Sequence, residues 1–255
     1  TSSSISFSLI VKSAKQGLQS QQMEYEISVA FNLFSGGDGT SSNPYVISSL
    51  QQFKNIGARK TKLSYLNSYL SDGEEKTEED RYNFLLNADI TGLTFDGILF
   101  SGDFTGNIVG NGHTITYTAN APTSANLSSS LFVEDGAITR FNTSDSRGFE
   151  FRTGVALFER VTGSLSNFTV NATFNSSMSI DRNTLFAGLT IVNMSTARID
   201  GVNVSGLSTT ASVYSTIEQT VAVYAGLVAF NNGEIVGSKV TGDIVATDAN
   251  YVGVQ

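Results

Sequence analysis

The sequence predicts an all-β protein, a right-handed parallel β-helix with an N-terminal cap of strands and a short helical insertion. Three observations predict this solenoid. Hydrophobic residues make up 40% of the 255 residues and charged residues only 15%, a balance that favours strands and turns over charged surface helices. Apolar and polar residues alternate in several segments, as in half-buried strands. From residue 82 onward, related units recur along the chain.

Two predicted strands occupy residues 1–33. Apolar residues alternate with polar ones from Ile5 to Val11 and again from Tyr25 to Phe31, which is the period-two pattern of strands. Two interpretations remain open: a hairpin that caps the β-helix, or the last strands of a preceding module. Residues 34–255 are predicted to form the repeat domain.

A short helix is predicted after a turn cluster and a strand that ends at Ile47. Ser48 and Gln51 have the spacing of a capping box, and Leu50, Phe53 and Ile56 follow at helical spacing. The first helix is therefore expected to begin at Ser48.

A charged insertion is predicted over residues 58–81. It contains a second helical pattern at Leu63, Leu66 and Leu70, followed by the acidic run 72–80. We expect that run to be a solvated loop, with a calcium site as the alternative.

Four short apolar heads mark the repeats. They are Leu131-Phe132, Ala156-Leu157-Phe158, Ala187-Gly188-Leu189 and Ala225-Gly226-Leu227. Residues 198–206 align without gaps with residues 234–242, and Leu165 is the equivalent of Ile199 and Ile235. Such units bury an apolar face only by stacking on a neighbour, which indicates a solenoid. Residues 251–254 restate residues 224–227, so the chain is expected to stop inside a repeat.

Asparagine and glycine residues suit the corners between strands, because both tolerate left-handed backbone. The predicted corner residues are Gly110, Asn111, Gly112, Asn231, Asn232 and Gly233. Three phenylalanines in or beside the heads are predicted to stack in the core: Phe132, Phe158 and Phe186. Five tyrosines are predicted to be exposed contact residues, since tyrosine is favoured in interfaces: Tyr45, Tyr65, Tyr69, Tyr82 and Tyr117.

Composition excludes several functions. A formal net charge of −8 argues against a nucleic-acid partner, which requires clustered Lys and Arg. Because the chain has no cysteine, it forms no disulfide and no thiolate metal site. No apolar run is long enough to span a membrane, no signal peptide is recognised, and no phosphate-binding glycine loop with its Lys occurs. We therefore expect an internal piece of a mature protein, with no membrane span in this fragment and no cofactor.

Candidate catalytic residues are few. His113 is the sole histidine, so a Ser-His-Asp triad or a histidine-based zinc site would need it; we interpret it as structural, at a turn-to-strand boundary. Carboxylates of the strand-rich part lack pairs at two-residue spacing, and they are Asp96, Asp103, Glu134, Asp135, Glu150, Glu159, Asp181, Asp200, Glu234 and Asp243. Asp38, and Asp135 beside Glu134, are the alternative calcium ligands. No catalytic, metal or ligand-binding residue is assigned.

Residues 34–255 resemble the GLUG-type repeat proteins, which are bacterial surface β-helices. The turn cluster and strand of residues 34–47, the strand beginning at Asn87-Ala88-Asp89-Ile90 and residues 104–115, which contain Gly-Asn-Gly-His-Thr-Ile, carry the resemblance. Ile108-Val109 departs from it, since the family has Phe-Asp there, and the insertion is longer than usual.

The resemblance implies a non-catalytic cell-surface or secreted module, an adhesin or a rigid stalk, whose partner is an extracellular protein or a carbohydrate. Two alternatives remain. Parallel β-helices also include polysaccharide lyases and hydrolases, which use carboxylates. Similar repeats also accompany larger exported peptidases as accessory segments.

Overall fold

The computed structural model describes residues 3–12, 22–31, 33–57, 82–134, 137–139, 149–175, 183–209, 211–212, 222–243, 246–247 and 252–254. Side-chain burial is described for residues 33–57, 82–131, 150–175, 183–205 and 222–242. The predicted charged insertion, with Leu63, Leu66, Leu70, Tyr65 and Tyr69, lies outside the described residues.

Strands dominate the described residues, and one helix, α1, covers residues 50–57. The strands are β1 (Ser3–Lys12), β2 (Gln22–Phe31), β3 (Tyr45–Ile47), β4 (Asn83–Leu86), β5 (Ile90–Asp96), β6 (Ile98–Phe104), β7 (Asn107–Val109), β8 (Thr114–Asn120), β9 (Leu131–Glu134), β10 (Ala137–Thr139), β11 (Phe149–Phe151), β12 (Thr153–Val161), β13 (Ser164–Asn175), β14 (Thr184–Ala187), β15 (Thr190–Asn193), β16 (Arg198–Thr209), β17 (Ala211–Ser212), β18 (Ala222–Ala225), β19 (Val228–Asn231), β20 (Glu234–Val236), β21 (Lys239–Asp243), β22 (Ala246–Thr247) and β23 (Val252–Val254).

Two large parallel sheets form the body of the protein. One orders its strands β19-β15-β12-β14-β18-β23, with β6 beside β12, and the other orders β20-β16-β13-β7-β4-β3, with β5, β8 and β21 alongside. A third, small parallel pair is β17-β22. The antiparallel pairs are β1-β2 and the three strands β10-β9-β11. The predicted all-β class is confirmed, and its principal sheets are parallel.

Strand register agrees with the predicted alignment of residues 198–206 with residues 234–242 over most of its length. Leu165 pairs with Ile199, and Ile199 pairs in turn with Ile235. Val204 pairs with Val240, but the register then shifts and Leu207 pairs with Gly242. The predicted equivalence is therefore correct as far as Val204 and wrong by one residue beyond it, because β16 carries an irregularity there.

Two other predicted alignments are wrong. Leu131 does not head a repeat, since β9 lies in the antiparallel sheet; Ala156 pairs instead with Ile98 of β6. The predicted head Leu131-Phe132 is only two apolar residues long, which was too short to distinguish β9 from β6. Val254 pairs with Tyr224, so residues 252–254 follow residues 222–224 rather than 225–227. Short strands that alternate small and apolar residues fit several registers equally well.

Residues with left-handed backbone conformation line up across neighbouring strands at the bend of the sheet that contains β13 and β16. The φ angles are 52° at Asn111, 54° at Asn167, 61° at Gly201 and 60° at Gly237. Asn167, Gly201 and Gly237 are in register, because Ser166 pairs with Asp200 and Asp200 with Val236. The predicted corner at Asn111 and Gly112 is confirmed, since Gly112 also has a positive φ of 80°.

The core contains the inward-facing residues of both sheets. Ile108, Leu165 and Ile199, from three neighbouring strands, are fully buried. Phe158 and Phe186 are buried, as predicted, and Phe186 stacks on Tyr224 with ring centroids 4.5 Å apart. The side chain of Phe132 lies outside the described part.

Tyr45 and Tyr117, predicted to be exposed, are core residues with exposures of 4% and 1%. Each occupies an inward position of a strand in which buried and partly exposed residues alternate. The Tyr117 hydroxyl donates a hydrogen bond to the carbonyl oxygen of Gly188 at 2.9 Å. Tyr82 is partly buried.

Helix α1 is capped one residue later than predicted. The Ser49 hydroxyl accepts a hydrogen bond from the Gln52 backbone N at 3.3 Å, and the Gln52 side chain accepts one from the Ser48 backbone N at 2.8 Å. Both serines have a glutamine three residues later, so spacing alone did not select Ser49 over Ser48. Phe53 and Ile56 are buried, as their spacing predicted.

The N-terminal strands pair with each other, from Ser3 opposite Phe31 to Lys12 opposite Gln22. On the outer side of β3, Val46 forms an antiparallel bridge with Gly36. Both interpretations of residues 1–33, as a cap or as part of a preceding module, remain predictions. The described residues contain no helix with the length and apolarity needed to cross a bilayer.

Candidate functional site

A buried carboxylate, Glu159, lies where β12 pairs with β6. Its side chain is 3% exposed. One carboxylate oxygen accepts a hydrogen bond from the backbone N of Gly102. The other accepts bonds from the Ser128 backbone N, at 2.7 Å, and from the Ser128 hydroxyl. Glu159 therefore ties the segment before β9 to the two paired strands.

The neighbouring Arg160 joins Glu159 to a second carboxylate. Its Nε donates to Oδ1 of Asp103 at 2.5 Å, and its Nη1 donates to the Ser128 hydroxyl at 2.6 Å. Nη1 also lies 3.6 Å from Oε1 of Glu159. We call these four residues, Asp103, Ser128, Glu159 and Arg160, the Glu159 cluster.

Chemically, the Glu159 cluster is a carboxylate pair bridged by a guanidinium. Both oxygens of Glu159 already accept hydrogen bonds, and Arg160 holds Asp103. Satisfied groups of this kind stabilise a buried network. The arrangement indicates that Glu159 positions loop and strand, whereas a general acid or base needs a proton path to a substrate.

The sequence did not point to this cluster. Asp103 and Arg160 are 57 residues apart and meet because they are paired in adjacent parallel strands. A spacing of two residues relates side chains on one strand, whereas the carboxylates of Asp103 and Glu159 are brought together by two different strands. Ser128 and Arg160 carried no signal that distinguished them from other polar residues.

His113 lies at the turn-to-strand boundary, as predicted. Its backbone N donates to the carbonyl oxygen of Gly110 at 2.9 Å, and its Nδ1 lies 3.1 Å from Oδ1 of Asp89. The Thr114 backbone N donates to the same oxygen at 2.9 Å. The Thr114 hydrogen bond, and then the one from His113, hold the pKa of Asp89 below its ordinary value.

His113 contacts a carboxylate, as the histidine of a Ser-His-Asp triad does, but the described residues supply no nucleophile for it. Within the described part of the chain, no serine or threonine hydroxyl is hydrogen-bonded to His113. A nucleophile and its base must lie within hydrogen-bond reach. The contacts therefore join β8 to the residue before β5 and support the structural interpretation.

The remaining acidic candidates form surface contacts. Arg198 binds Asp200 at 2.9 Å and Glu234 at 2.5 Å, and Glu234 contributes most to raising the pKa of Arg198. Glu150 pairs with Arg152 at 2.6 Å. Asp96 accepts a hydrogen bond from Asn120. The side chains of Glu134, Asp135, Asp181 and Asp243 lie outside the described residues.

Asp38, one of the alternative calcium ligands, is held by its own turn. Asp38 accepts bonds from the backbone N and the hydroxyl of Thr40, at 3.0 and 2.7 Å. The first of these contributes most to lowering the pKa of Asp38. Among residues with described side chains, no three His, Cys, Asp or Glu residues are grouped closely enough to hold a metal ion.

Comparisons with known proteins identify no family. No family model matches the chain, and no curated protein matches it. One solved structure that aligns with it is a putative immunoglobulin A1 protease from Bacteroides ovatus. The alignment covers 87% of this chain and 86% of that one, at 14% sequence identity and a TM-score of 0.28. A likeness at that level assigns neither a fold nor an activity to this chain.

Proposed function

We propose that the chain is a right-handed parallel β-helix that serves as a non-catalytic cell-surface or secreted module, an adhesin or a rigid stalk. Its partner would be an extracellular protein or a carbohydrate. The resemblance of residues 34–255 to GLUG-type repeat proteins implies the same location and role.

Successive parallel pairing is the observation that carries the proposal. Strands β3, β4, β7, β13, β16 and β20 pair in that order, each parallel to the next. A second row runs β6, β12, β15 and β19. Parallel neighbours require a crossover connection, and such connections are right-handed in nearly all proteins. Repetition of one crossover, with a rise of about 4.8 Å per strand, would build a rod.

The polar side chains support a non-catalytic role. Glu159 has both oxygens occupied, and His113 contacts a carboxylate but no described hydroxyl. A stalk needs rigidity rather than reactive groups, and these residues fasten one strand or loop to the next. The net charge of −8 also favours partners other than nucleic acid.

A carbohydrate-active enzyme is the second candidate, and one observation favours it. Asp103 and Glu159 both contact Arg160, and glycoside hydrolases use paired carboxylates. The two candidates differ in what they do to a glycan. A stalk or adhesin leaves it intact, whereas a lyase or hydrolase releases new chain ends.

The test combines shape, binding and turnover. Small-angle scattering should give the cross-section of a rod with one long dimension. The fluorescent chain should bind saturably to host cells or to immobilised extracellular matrix if it is an adhesin. Incubation with neutral and anionic polysaccharides should release neither reducing ends nor unsaturated products. If the chain does degrade a polysaccharide, and a folded Glu159→Gln variant does not, the carbohydrate-active enzyme would be the correct function.

A further inference from the structure

One face of the sheet that contains β13 and β16 presents uncharged polar side chains in regular rows. Strands β5, β8, β13 and β16 contribute alternate residues to it, while the residues between them, such as Ile115, Val170 and Val204, are buried. We call this surface the polar face. Its members are all wholly or partly exposed, and they are Thr94, Thr114, Thr116, Thr118, Thr169, Asn171, Thr173, Asn203 and Ser205.

The polar face is arranged in rows across the strands. Thr116 pairs with Asn171, and Asn171 with Ser205. The neighbouring rows are Thr94, Thr118 and Thr173 on one side and Thr114, Thr169 and Asn203 on the other. Side chains in a row are about 4.8 Å apart, and rows are separated by roughly 6.6 Å, two residues along a strand.

Hydrogen bonds hold the middle row in place. The Asn171 amide donates to the Thr116 hydroxyl at 3.5 Å, and the Ser205 hydroxyl donates to the Asn171 carbonyl oxygen at 2.5 Å. Threonine side chains are also restricted at χ1 because they are β-branched. The middle row therefore presents its hydroxyl and amide groups in fixed positions, so binding to that row requires little further ordering of its side chains.

Charge restricts the chemistry of a partner. None of the nine residues is charged, although the chain has 15 Lys and Arg and 23 Asp and Glu. Three charged residues border the face: Asp96 lies two residues after Thr94 in β5, Lys239 pairs with Asn203, and Asp89 accepts a hydrogen bond from the Thr114 backbone N. An ionic partner would lose hydration here without meeting an opposite charge. Hydroxyls and amides donate and accept hydrogen bonds, so a partner rich in hydroxyls matches them best.

We propose that the polar face is the ligand-binding surface and that its ligand is an uncharged polysaccharide. This inference rests on the proposed function as a non-catalytic module and assigns its partner. A linear glycan chain repeats its hydroxyl groups, as the rows repeat theirs. Single contacts of this type are weak in water, but a polymer that touches several rows at once gains affinity through multivalency.

The experiment uses the whole chain and three neutral probes: insoluble glucan, mannan and galactan particles. Polygalacturonate and chitosan serve as anionic and cationic comparisons. The test variant is Thr116→Val, Thr118→Val and Thr173→Val together, which removes three hydroxyls and keeps the β-branched shape. The matched control replaces three threonines off the face with valine: Thr105, Thr123 and Thr196. Circular dichroism and thermal unfolding establish that both variants are folded.

We expect cosedimentation with at least one neutral particle, unchanged between 0.15 and about 1 M salt because no ion pair is involved. Binding should fall at least tenfold in the test variant and remain within twofold in the control. Equal binding by the test variant and the original chain would overturn the inference. So would preference for a charged polymer, or self-association of the chain through this face.

Failure of the inference differs from failure of the proposed function. A chain that binds matrix proteins or cells but none of the neutral particles would retain its surface role and lose this ligand. Release of reducing ends from a particle would instead overturn the non-catalytic role, whichever face held the glycan.

Discussion

Asn167 and Gly201 occupy equivalent positions in adjacent parallel strands, with φ angles of 54° and 61°. Only glycine, and to a lesser extent asparagine and aspartate, adopts this left-handed conformation readily. The sheet therefore bends at the same position in both strands, and a change at one position can be compared with the natural residue at the other.

Replacement of Gly201 by alanine should lower the free energy of unfolding by about 1–2 kcal/mol. Replacement by asparagine should cost less than ~0.5 kcal/mol, since Asn167 already holds this conformation. A Cβ at Gly201 would meet nothing within 4 Å, so the difference reports backbone strain and not a clash. Urea unfolding of both variants measures it, and equal losses would contradict the conformational explanation.

Tyr117 and Tyr224 offer a matched test of buried hydroxyls. Tyr117 donates to Gly188, whereas the buried Tyr224 hydroxyl has no hydrogen-bond partner among the described residues. Tyr117→Phe should cost about 1 kcal/mol of unfolding free energy, and Tyr224→Phe should be neutral or stabilising by up to ~1 kcal/mol. Chemical denaturation of the two variants compares them. A larger loss for Tyr224→Phe would indicate a partner outside the described part.

Stability should also fall at alkaline pH. Burial raises the pKa of Tyr224 to about 12, above the ordinary value of 10.0. Because the folded pKa is the higher one, this stabilisation is complete below pH 10 and is lost as the pH rises towards 12. The fraction of unfolded protein, followed by tyrosinate absorbance, should therefore rise steeply with pH between pH 10 and pH 12. Tyr224→Phe should flatten the curve, and an unchanged curve would exclude this group as the cause.

Glu159→Gln should destabilise the fold by about 3 kcal/mol, because an amide group would face backbone donors and Arg160 would lose a partner. The matched control is Glu150→Gln. Glu150 pairs with Arg152, whose side chain is 64% exposed, so its loss should cost under ~1 kcal/mol. Denaturation midpoints distinguish the two variants. Similar losses would mean that Glu159 contributes no more than a surface residue.

Ile199 and Ile235 are paired in register yet differ in burial, at 0% and 36% exposure. Ile199→Ala should cost about 3 kcal/mol, in the range for core isoleucines, and Ile235→Ala about 1 kcal/mol or less. Thermal unfolding of both variants tests the difference. Equal costs would indicate that Ile235 is covered in solution.

Patterns within a strand predicted well. Residues 198–204 and 234–240 align without gaps because their inward residues recur at period two, and the register follows that alignment. The corner at Asn111 was also predictable, since few residues tolerate its backbone conformation. The strand alternation and the corner both depend on residues that are neighbours in the sequence, so the sequence was sufficient to predict them.

Contacts between distant strands were not predictable in the same way. Asp103 meets Arg160 because β6 and β12 pair in that register, although β7 to β11 lie between them in the chain. No periodic pattern in the sequence indicates this pairing. Tyr45 and Tyr117 were wrongly predicted to be exposed because tyrosine is common at both solvent-exposed and buried positions. The strand position of each residue, and not its type, decided its burial.

The order of pairing has a consequence for biosynthesis. On the outer side of β3, Val46 is bridged to Gly36, whereas β20 pairs with β16 and has no partner on its other edge among the described strands. In the row from β3 to β20, each strand pairs with one that emerges earlier from the ribosome. Each nascent strand of this row can therefore pair with a strand that is already synthesised, so the row can assemble from its N-terminal end while the chain is still being translated.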